Sequence, residues 1–155
     1  MKQSPSEQNL YENLQPSKFS GEGFLGTDTR PVNEIIAEDT NALNNTGISK
    51  EVLVKKLKDM YQKAKEALGA EVQVAPDVYA TFYESMGRIP SPFSGDGVFE
   101  KGEAIVINIK SEKKAVITSL SIHLIEKHDF FQGKGCTYRI DPVYIVELLN
   151  ITPDK

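Results

Sequence analysis

The residues best suited to chemistry lie close together in the last third of the chain, at positions 115–142. This stretch reads AVITSLSIHLIEKHDFFQGKGCTYRIDP and holds both histidines, the single cysteine, a Gly-Lys-Gly turn and one of the three arginines. Histidine and cysteine can act as bases, nucleophiles or metal ligands, and lysine and arginine can bind anions. We therefore expect a functional site here, although the stretch completes no known catalytic motif.

His123 and His128 are the candidate catalytic residues, each as a general acid or base. Glu126 follows His123 by one helical turn and could orient its imidazole. The structural interpretation is a half-buried, hydrogen-bonded histidine. Five residues at ~100° each separate the two side chains by ~140° around a helix, whereas two helical histidines that bind one metal are usually four residues apart. The spacing therefore predicts no metal site, and we expect no cofactor.

Gly133, Lys134 and Gly135 form a flexible turn that resembles part of a phosphate-binding loop. It is not a Walker A motif, because neither serine nor threonine follows the lysine and the upstream glycine is missing. The turn could still present backbone amides and a cation to a carboxylate or phosphate. Cys136 follows the turn, so Lys134 could lower the pKa of the thiol and permit a Cys-His nucleophilic pair. A small residue that fills a tight turn is the favoured interpretation of Cys136.

The three arginines stand one to three residues before a proline, at Arg30, Arg88 and Arg139. The guanidinium fork suits bidentate binding of carboxylates. The arginines therefore either form a shared anion pocket or pin loops to acids of the protein itself, such as Asp28, Asp39 or Asp141, and the second interpretation is favoured. The candidate ligand-binding residues are Lys134, Arg139, Arg88, Arg30, Gly133 and Gly135.

Apolar residues recur with helical spacing in two segments of the first half. A first helix is predicted from Pro31 to about Asn45, and Asp39 falls in the middle of its apolar face. A carboxylate there needs a cation or several hydrogen bonds, since its burial alone costs on the order of several kcal/mol. A second helix is predicted from the cap residue Ser49 to about Leu68. Its lysines form pairs with acids one turn away and indicate a solvated face, not a nucleic-acid surface.

The periodicity then changes to that of strands, which are expected at residues 72–74, 78–86, 104–109, 115–118 and 138–140. A short helix is expected at 120–128, and a last helix at 142–149 follows the cap residue Asp141. Residues 87–102 are expected to form a long loop, of a length that is often functional. The element order predicts an α+β fold: a single domain with a mainly antiparallel sheet of about four to five strands, packed with about three to four helices.

The composition is that of an ordinary globular protein, with 39% of the 155 residues hydrophobic and 26% charged. A net charge of −4 argues against nucleic acid as a partner. One cysteine cannot form an internal disulfide, and the sequence shows neither a signal peptide nor a membrane-spanning run, so we expect a cytoplasmic protein without a membrane partner.

The first 22 residues are polar and are interpreted as a flexible N-terminal arm. Residues 23–155 are interpreted as the domain, and we expect the domain to fold without the arm. The alternative is that Leu10, Tyr11 and Leu14 form one amphipathic turn that docks on the domain or on a partner.

From about residue 23 to residue 149 the chain resembles a family of small bacterial proteins described as hypothetical cytosolic proteins. The matching stretches are GFLGTDTRPVNEIIAED, GRIPSPF and IHLIEKHDFFQGKGCTYRIDP. The resemblance implies a cytosolic location and brings with it no activity, ligand or partner.

Two classes of function remain open on these grounds. The first is a protein, possibly an enzyme, that binds a small anionic molecule between residues 87–102, the His123 helix and the Gly-Lys-Gly turn. Arg139 and Lys134 would then hold the anion, with His123 or His128 as acid or base. The second is a homo-oligomeric interaction module without chemistry, in which the pair Phe130-Phe131 and the N-terminal arm form the contact surface.

Overall fold

Two helices, six strands and two further helices follow one another in a computed structural model that describes residues 10–15 and 23–153. The elements are α1 (Val32–Asn45), α2 (Lys50–Glu66), β1 (Val72–Ala75), β2 (Val78–Tyr83), β3 (Arg88–Pro90), β4 (Val98–Glu100), β5 (Glu103–Asn108), β6 (Lys113–Thr118), α3 (Ser119–His128) and α4 (Pro142–Leu148). One helical turn at residues 10–13 precedes them. The fold is α+β, as predicted.

Three of the four helices begin where a capping side chain accepts a hydrogen bond from an early backbone amide, whereas α1 follows Pro31, which makes no such bond. The side chain of Ser49 accepts a 3.2 Å hydrogen bond from the amide of Val52, and Asp141 accepts one of 3.0 Å from Tyr144, so both predicted caps are confirmed. Thr118 caps α3 in the same way. The end of α2 comes at Glu66, slightly before the predicted position.

The main sheet has the strand order β1-β2-β5-β6, and every neighbouring pair is antiparallel. Phe82 of β2 lies opposite Ala104 of β5, which in turn lies opposite Ile117 of β6. All three side chains are buried, and they belong to a core that the sheet shares with α2 and α4. Alternate residues on β2 and β5 are more exposed, as expected for a sheet with one covered face.

Two sequence predictions about local structure were wrong. The predicted loop at 87–102 contains a second, two-stranded sheet, in which Ile89 of β3 lies opposite Phe99 of β4. The predicted strand at 138–140 does not form: residues 137–138 lie in a turn, in which the amide of Arg139 bonds back to the carbonyl of Cys136 at 3.1 Å. The strand prediction rested on alternation over three residues, which a turn produces equally well. In addition, β2 ends at Tyr83 and leaves residues 84–86 exposed.

Residues 10–15 pack on the domain, although they fall within the predicted flexible arm. Leu14 is 0% exposed, and its carbonyl accepts a 2.8 Å hydrogen bond from the amide of Phe24. Leu10 is partly buried beside it, whereas Tyr11 is 45% exposed. Residues 10–15 therefore dock on the domain, which was the alternative to a flexible arm. The other residues of the predicted arm, 1–9 and 16–22, lie outside the described residues.

Among the described residues, no helix combines the length and the apolar character needed to cross a membrane.

Candidate functional site

The carboxylate of Asp96 lies between the two histidines. Its Oδ2 atom is 2.9 Å from Nε2 of His123 and 2.7 Å from Nε2 of His128. Both histidines come from α3, and Asp96 comes from the connection between β3 and β4. The side chains of the three residues are 17–23% exposed, so the cluster is partly buried but open to small molecules.

We expected the two histidine side chains to point apart because of the angle between them around the helix. That angle did not predict the positions of their imidazole rings. Their ring centroids are 5.8 Å apart, and both Nε2 atoms point at one oxygen. The angle describes where the Cβ atoms leave the helix, whereas an imidazole reaches further and can turn towards a shared partner. Asp96 is that partner, and the sequence argument had not included it.

Two phenylalanines of the β3–β4 hairpin hold the imidazole rings. Phe93 stacks on His128 with ring centroids 3.7 Å apart and planes at 5°, and Phe99 lies 4.6 Å from His123 at 38°. Phe93 also makes an edge contact with the fully buried Phe130. The rings therefore have little freedom to rotate away from Asp96.

Asp96 is ionised over the whole neutral range. Burial raises the pKa of this carboxyl, but hydrogen bonds from His123, His128 and Ser91 outweigh burial and lower the pKa to about 2. The Ser91 hydroxyl donates to Asp96 Oδ2 at 2.8 Å and accepts a hydrogen bond from the amide of Phe93. Ser91 therefore orients the carboxylate that faces the imidazoles.

A pocket of about 460 Å³ lies beside His123, between α2 and α3. Its wall includes the ring of Phe99, the hydroxyl of Ser119 and the ion pair of Lys58 with Glu126, whose charged atoms are 2.7 Å apart. Glu126, which we expected could orient His123, is thus paired with Lys58, and Asp96 takes the orienting position.

Arg139 and Asp39 form a buried ion pair. Two hydrogen bonds of 2.8 and 2.9 Å join the guanidinium to both carboxylate oxygens, and a third joins it to the carbonyl of Gln132 at 2.7 Å. Asp39 is 5% exposed. The prediction that Asp39 is buried against a basic side chain is confirmed, and the structural interpretation of Arg139 accounts for its contacts.

The Gly-Lys-Gly turn and Arg30 also bind a carboxylate of the protein itself. The amide of Lys134 donates to Asp28 at 3.1 Å, and the guanidinium of Arg30 donates to the same carboxylate. The hydrogen bond from Arg30, against the effect of burial, holds the pKa of Asp28 well below its usual range. Gly133 has no room for a side chain, since a Cβ there would lie 2.1 Å from the carbonyl oxygen of Leu25.

The remaining predicted ligand residues are dispersed. Arg88 is exposed at the start of β3, where its charge acts on Glu100 across the hairpin. Cys136 is buried, and its sulfur lies 3.2 Å from Oε1 of Gln132 and 3.5 Å from the carbonyl oxygen of Gly23, either of which can accept its one hydrogen. This placement agrees with the favoured interpretation, a small residue that fills a tight turn. The structure thus brings residues 87–102 and the two histidines together, while Arg30 and Arg139 are bound to acids elsewhere.

The predicted contact surface at Phe130-Phe131 is wrong. The two side chains are 0% and 2% exposed and belong to the two hydrophobic cores, one to each. Two adjacent aromatic residues after a helix resemble an exposed apolar contact surface in sequence. Here the left-handed residue Asp129 ends α3, and the chain then directs both phenylalanine side chains into the interior.

Sequence reasoning missed Asp96, Ser91, Phe93 and Phe99. The available signal was the loop itself, which was expected to border the site and which holds Asp96 between two glycines. Comparisons of the chain with protein-family models, with curated proteins and with solved structures find no match.

Proposed function

We propose that the protein binds one divalent transition-metal ion, of the Zn²⁺ or Fe²⁺ class, through Asp96, His123 and His128. The observation that carries this proposal is that one donor atom from each residue lies within 4.8 Å of the other two. Two imidazoles and a carboxylate are a donor set that these metals prefer. The earlier expectation of no metal rested on the helical angle and on the absence of further histidine or thiol ligands. The first argument no longer applies because both Nε2 atoms point at one oxygen, and Asp96 offers a carboxylate as the third ligand.

The spacing of the donors fits such an ion. A metal ~2.0–2.2 Å from each of its tetrahedral ligands holds the ligand atoms roughly 3.3–3.6 Å apart. The observed separations of Asp96 Oδ2 from the two Nε2 atoms are 2.9 and 2.7 Å, so the three side chains would move apart by roughly half an ångström to admit the ion. Without a metal, each imidazole can donate a hydrogen bond from Nε2 to Oδ2 of Asp96 instead.

Three protein ligands leave coordination positions for a small molecule, and a metal held in this way supplies Lewis-acid chemistry. A small anionic molecule remains the ligand class that we propose. The metal charge would attract it in place of Arg30 and Arg139, which are bound to Asp28 and Asp39. The pocket beside His123 offers the space. We also propose that the protein is cytosolic and that it is a member of the hypothetical cytosolic family, as expected from the sequence.

Metal titration of the purified, chelator-treated protein tests the proposal. Calorimetry with Zn²⁺ is expected to give one site per chain. Asp96→Asn and His128→Gln should each weaken binding by more than roughly 100-fold, beyond the loss typical of residues that only support a metal ligand. Asp59→Asn is the matched control, because this acid lines the neighbouring pocket without reaching the cluster. Equal binding by all four proteins, or none by the unchanged chain, would overturn the proposal.

A second candidate function, the homo-oligomeric interaction module, is favoured by the outer face of the main sheet. Tyr83 of β2 and Ile107 of β5 are 56% and 38% exposed, and Tyr79 lies opposite Ile107 on the same face. Such a face could pair with a second copy of the chain. Light scattering should then give the mass of a dimer, and Ile107→Lys should give that of a monomer. A monomeric mass for the unchanged chain at micromolar concentration would remove this candidate.

A further inference from the structure

The site rests on a hydrophobic core of its own. The core of the main sheet is one cluster, and a second cluster contains Leu14, Ile35, Leu124 and Phe130. Phe93 and Phe99, which contact the two imidazoles, pack against this second cluster. The position of the imidazole rings therefore depends on the second core and not only on the sheet.

Residues 10–15, here called the strap, close that second core. Leu14 is fully buried in it, and Leu10 packs against its edge. The side-chain amide of Asn13 donates a 3.0 Å hydrogen bond to the carbonyl of Pro92. The strap thus contacts the connection between β3 and β4 directly, through a residue that lies between Ser91 and Phe93.

A short series of contacts leads from the strap to the metal-binding cluster. Pro92 is buried under the strap, and Ser91 before it donates to Asp96 at 2.8 Å. Phe93 after it stacks on His128 at 3.7 Å. A shift of Pro92 would therefore move both the hydrogen bond that orients the carboxylate and the ring that orients one imidazole.

We infer that Asn13 and Leu14 are positioning residues: the docked strap holds residues 91–96 where Asp96 completes the site. This inference rests on the proposed metal site. Strap docking and metal binding then stabilise each other, because each favours the same position of residues 91–96. By linkage, the factor by which the strap raises metal affinity equals the factor by which the metal favours docking.

Co²⁺ titration of strap variants tests this role. Asn13→Ala and Leu14→Ala are each expected to weaken Co²⁺ binding by roughly tenfold and to change the visible spectrum of the bound ion, since residues that support metal ligands typically contribute 10–100-fold. Leu14→Met, which keeps a side chain of similar volume, should retain both the Co²⁺ affinity and the visible spectrum of the unchanged chain. In the unchanged chain, hydrogen exchange at residues 10–15 should slow when Co²⁺ is added.

Two controls separate positioning from general stability. Tyr11→Ala removes an exposed side chain of the same turn and should bind Co²⁺ normally. Val106→Ala weakens the sheet core, to which Leu14 does not belong, and should lower stability without changing the spectrum. If Leu14→Ala does not fold, Asn13→Ala decides alone. Co²⁺ affinities within twofold of the unchanged chain for both strap variants would overturn the inference.

If the unchanged chain binds no Co²⁺, the metal proposal itself is wrong, and this outcome is distinct from a failure of the strap inference. Strap positioning would in that case be judged by NMR. Stacking on Phe93 shifts the ring protons of His128 upfield, and both strap variants should reduce this shift. Unchanged His128 shifts in Asn13→Ala and Leu14→Ala would overturn strap positioning in the absence of any metal.

Discussion

Arg139 holds Asp39 across 100 residues of sequence through two hydrogen bonds of 2.8 and 2.9 Å. The pair joins α1 to the turn that precedes α4, and the side chains are only 9% and 7% exposed. Both planar groups use their full bidentate geometry, which lysine cannot reproduce. A residue that we considered for binding an external anion therefore binds an anion of the protein itself.

We expect Arg139→Ala to lower the free energy of unfolding by about 3–5 kcal/mol, because it leaves the buried carboxylate of Asp39 without its cation. Urea denaturation measures the loss. Arg88→Ala is the control, since Arg88 is exposed and its removal should change stability by no more than about 0.5 kcal/mol.

A double variant checks that the loss belongs to the pair. Arg139→Ala combined with Asp39→Asn should be less destabilised than the sum of the two single variants, since neither partner is then left alone. Strict additivity, or near-normal stability of Arg139→Ala, would contradict the buried ion pair.

Because of Asp28, the free energy of unfolding should depend on pH in the acid range. Its pKa is lowered in the fold, so the folded protein holds this proton less tightly than the unfolded chain does. Its contribution is therefore complete above the ordinary aspartate pKa of 3.8 and is lost as the pH falls further. The free energy of unfolding of Asp28→Asn should be lower than that of the unchanged chain at pH 6, and the difference should shrink below pH 4.

The matched control for this prediction is Asp129→Asn. Asp129 also forms an ion pair, with Lys50 at 3.0 Å, but its side chain is 45% exposed. Solvent screens such pairs, so the control should show little difference at either pH. A difference for Asp28→Asn that stays constant from pH 6 to pH 3 would exclude the proposed linkage.

The fold could be predicted from the sequence where local rules determine structure. Ser49 and Asp141 cap helices because their side-chain oxygens satisfy nearby amides, and both effects act within three residues. The burial of Asp39 followed from its place on an apolar helical face. Each of these inferences needed only neighbouring residues.

The site could not be predicted in the same way, because it depends on contacts between distant residues. Asp96 is 27 residues from His123 and 32 from His128, and only the β3–β4 hairpin brings them together. The prolines and glycines of residues 87–102 resemble those of an irregular loop and obscure two strands of three residues each. Sequence reasoning found the two histidines and their neighbouring segment but not the carboxylate that connects them.

Leu14 provides a test of the domain boundary. We expect Leu14→Ala to cost about 2–5 kcal/mol of stability, because it leaves a cavity at a fully buried position. Deletion of residues 1–15 should lower Tm for the same reason, contrary to the sequence expectation of a dispensable arm. Tyr11→Ala, from the same helical turn, should leave Tm nearly unchanged. If the deletion leaves Tm unchanged as well, the docking of Leu14 in the second core would be wrong.

The stacking of Phe93 on His128 should be measurable apart from any loss of fold. Phe93→Leu keeps an apolar side chain against the second core but removes the aromatic face 3.7 Å from the imidazole. We expect Zn²⁺ affinity to fall roughly tenfold, as for other residues that orient a metal ligand, while the free energy of unfolding changes by less than about 1.5 kcal/mol. Val98→Ala, an exposed position on the same hairpin, is the control for affinity. Phe93→Tyr keeps the ring and should retain the affinity of the unchanged chain. If Phe93→Leu binds Zn²⁺ as tightly as Phe93→Tyr, the ring does not orient His128, and the hydrogen bond to Asp96 alone must position that imidazole.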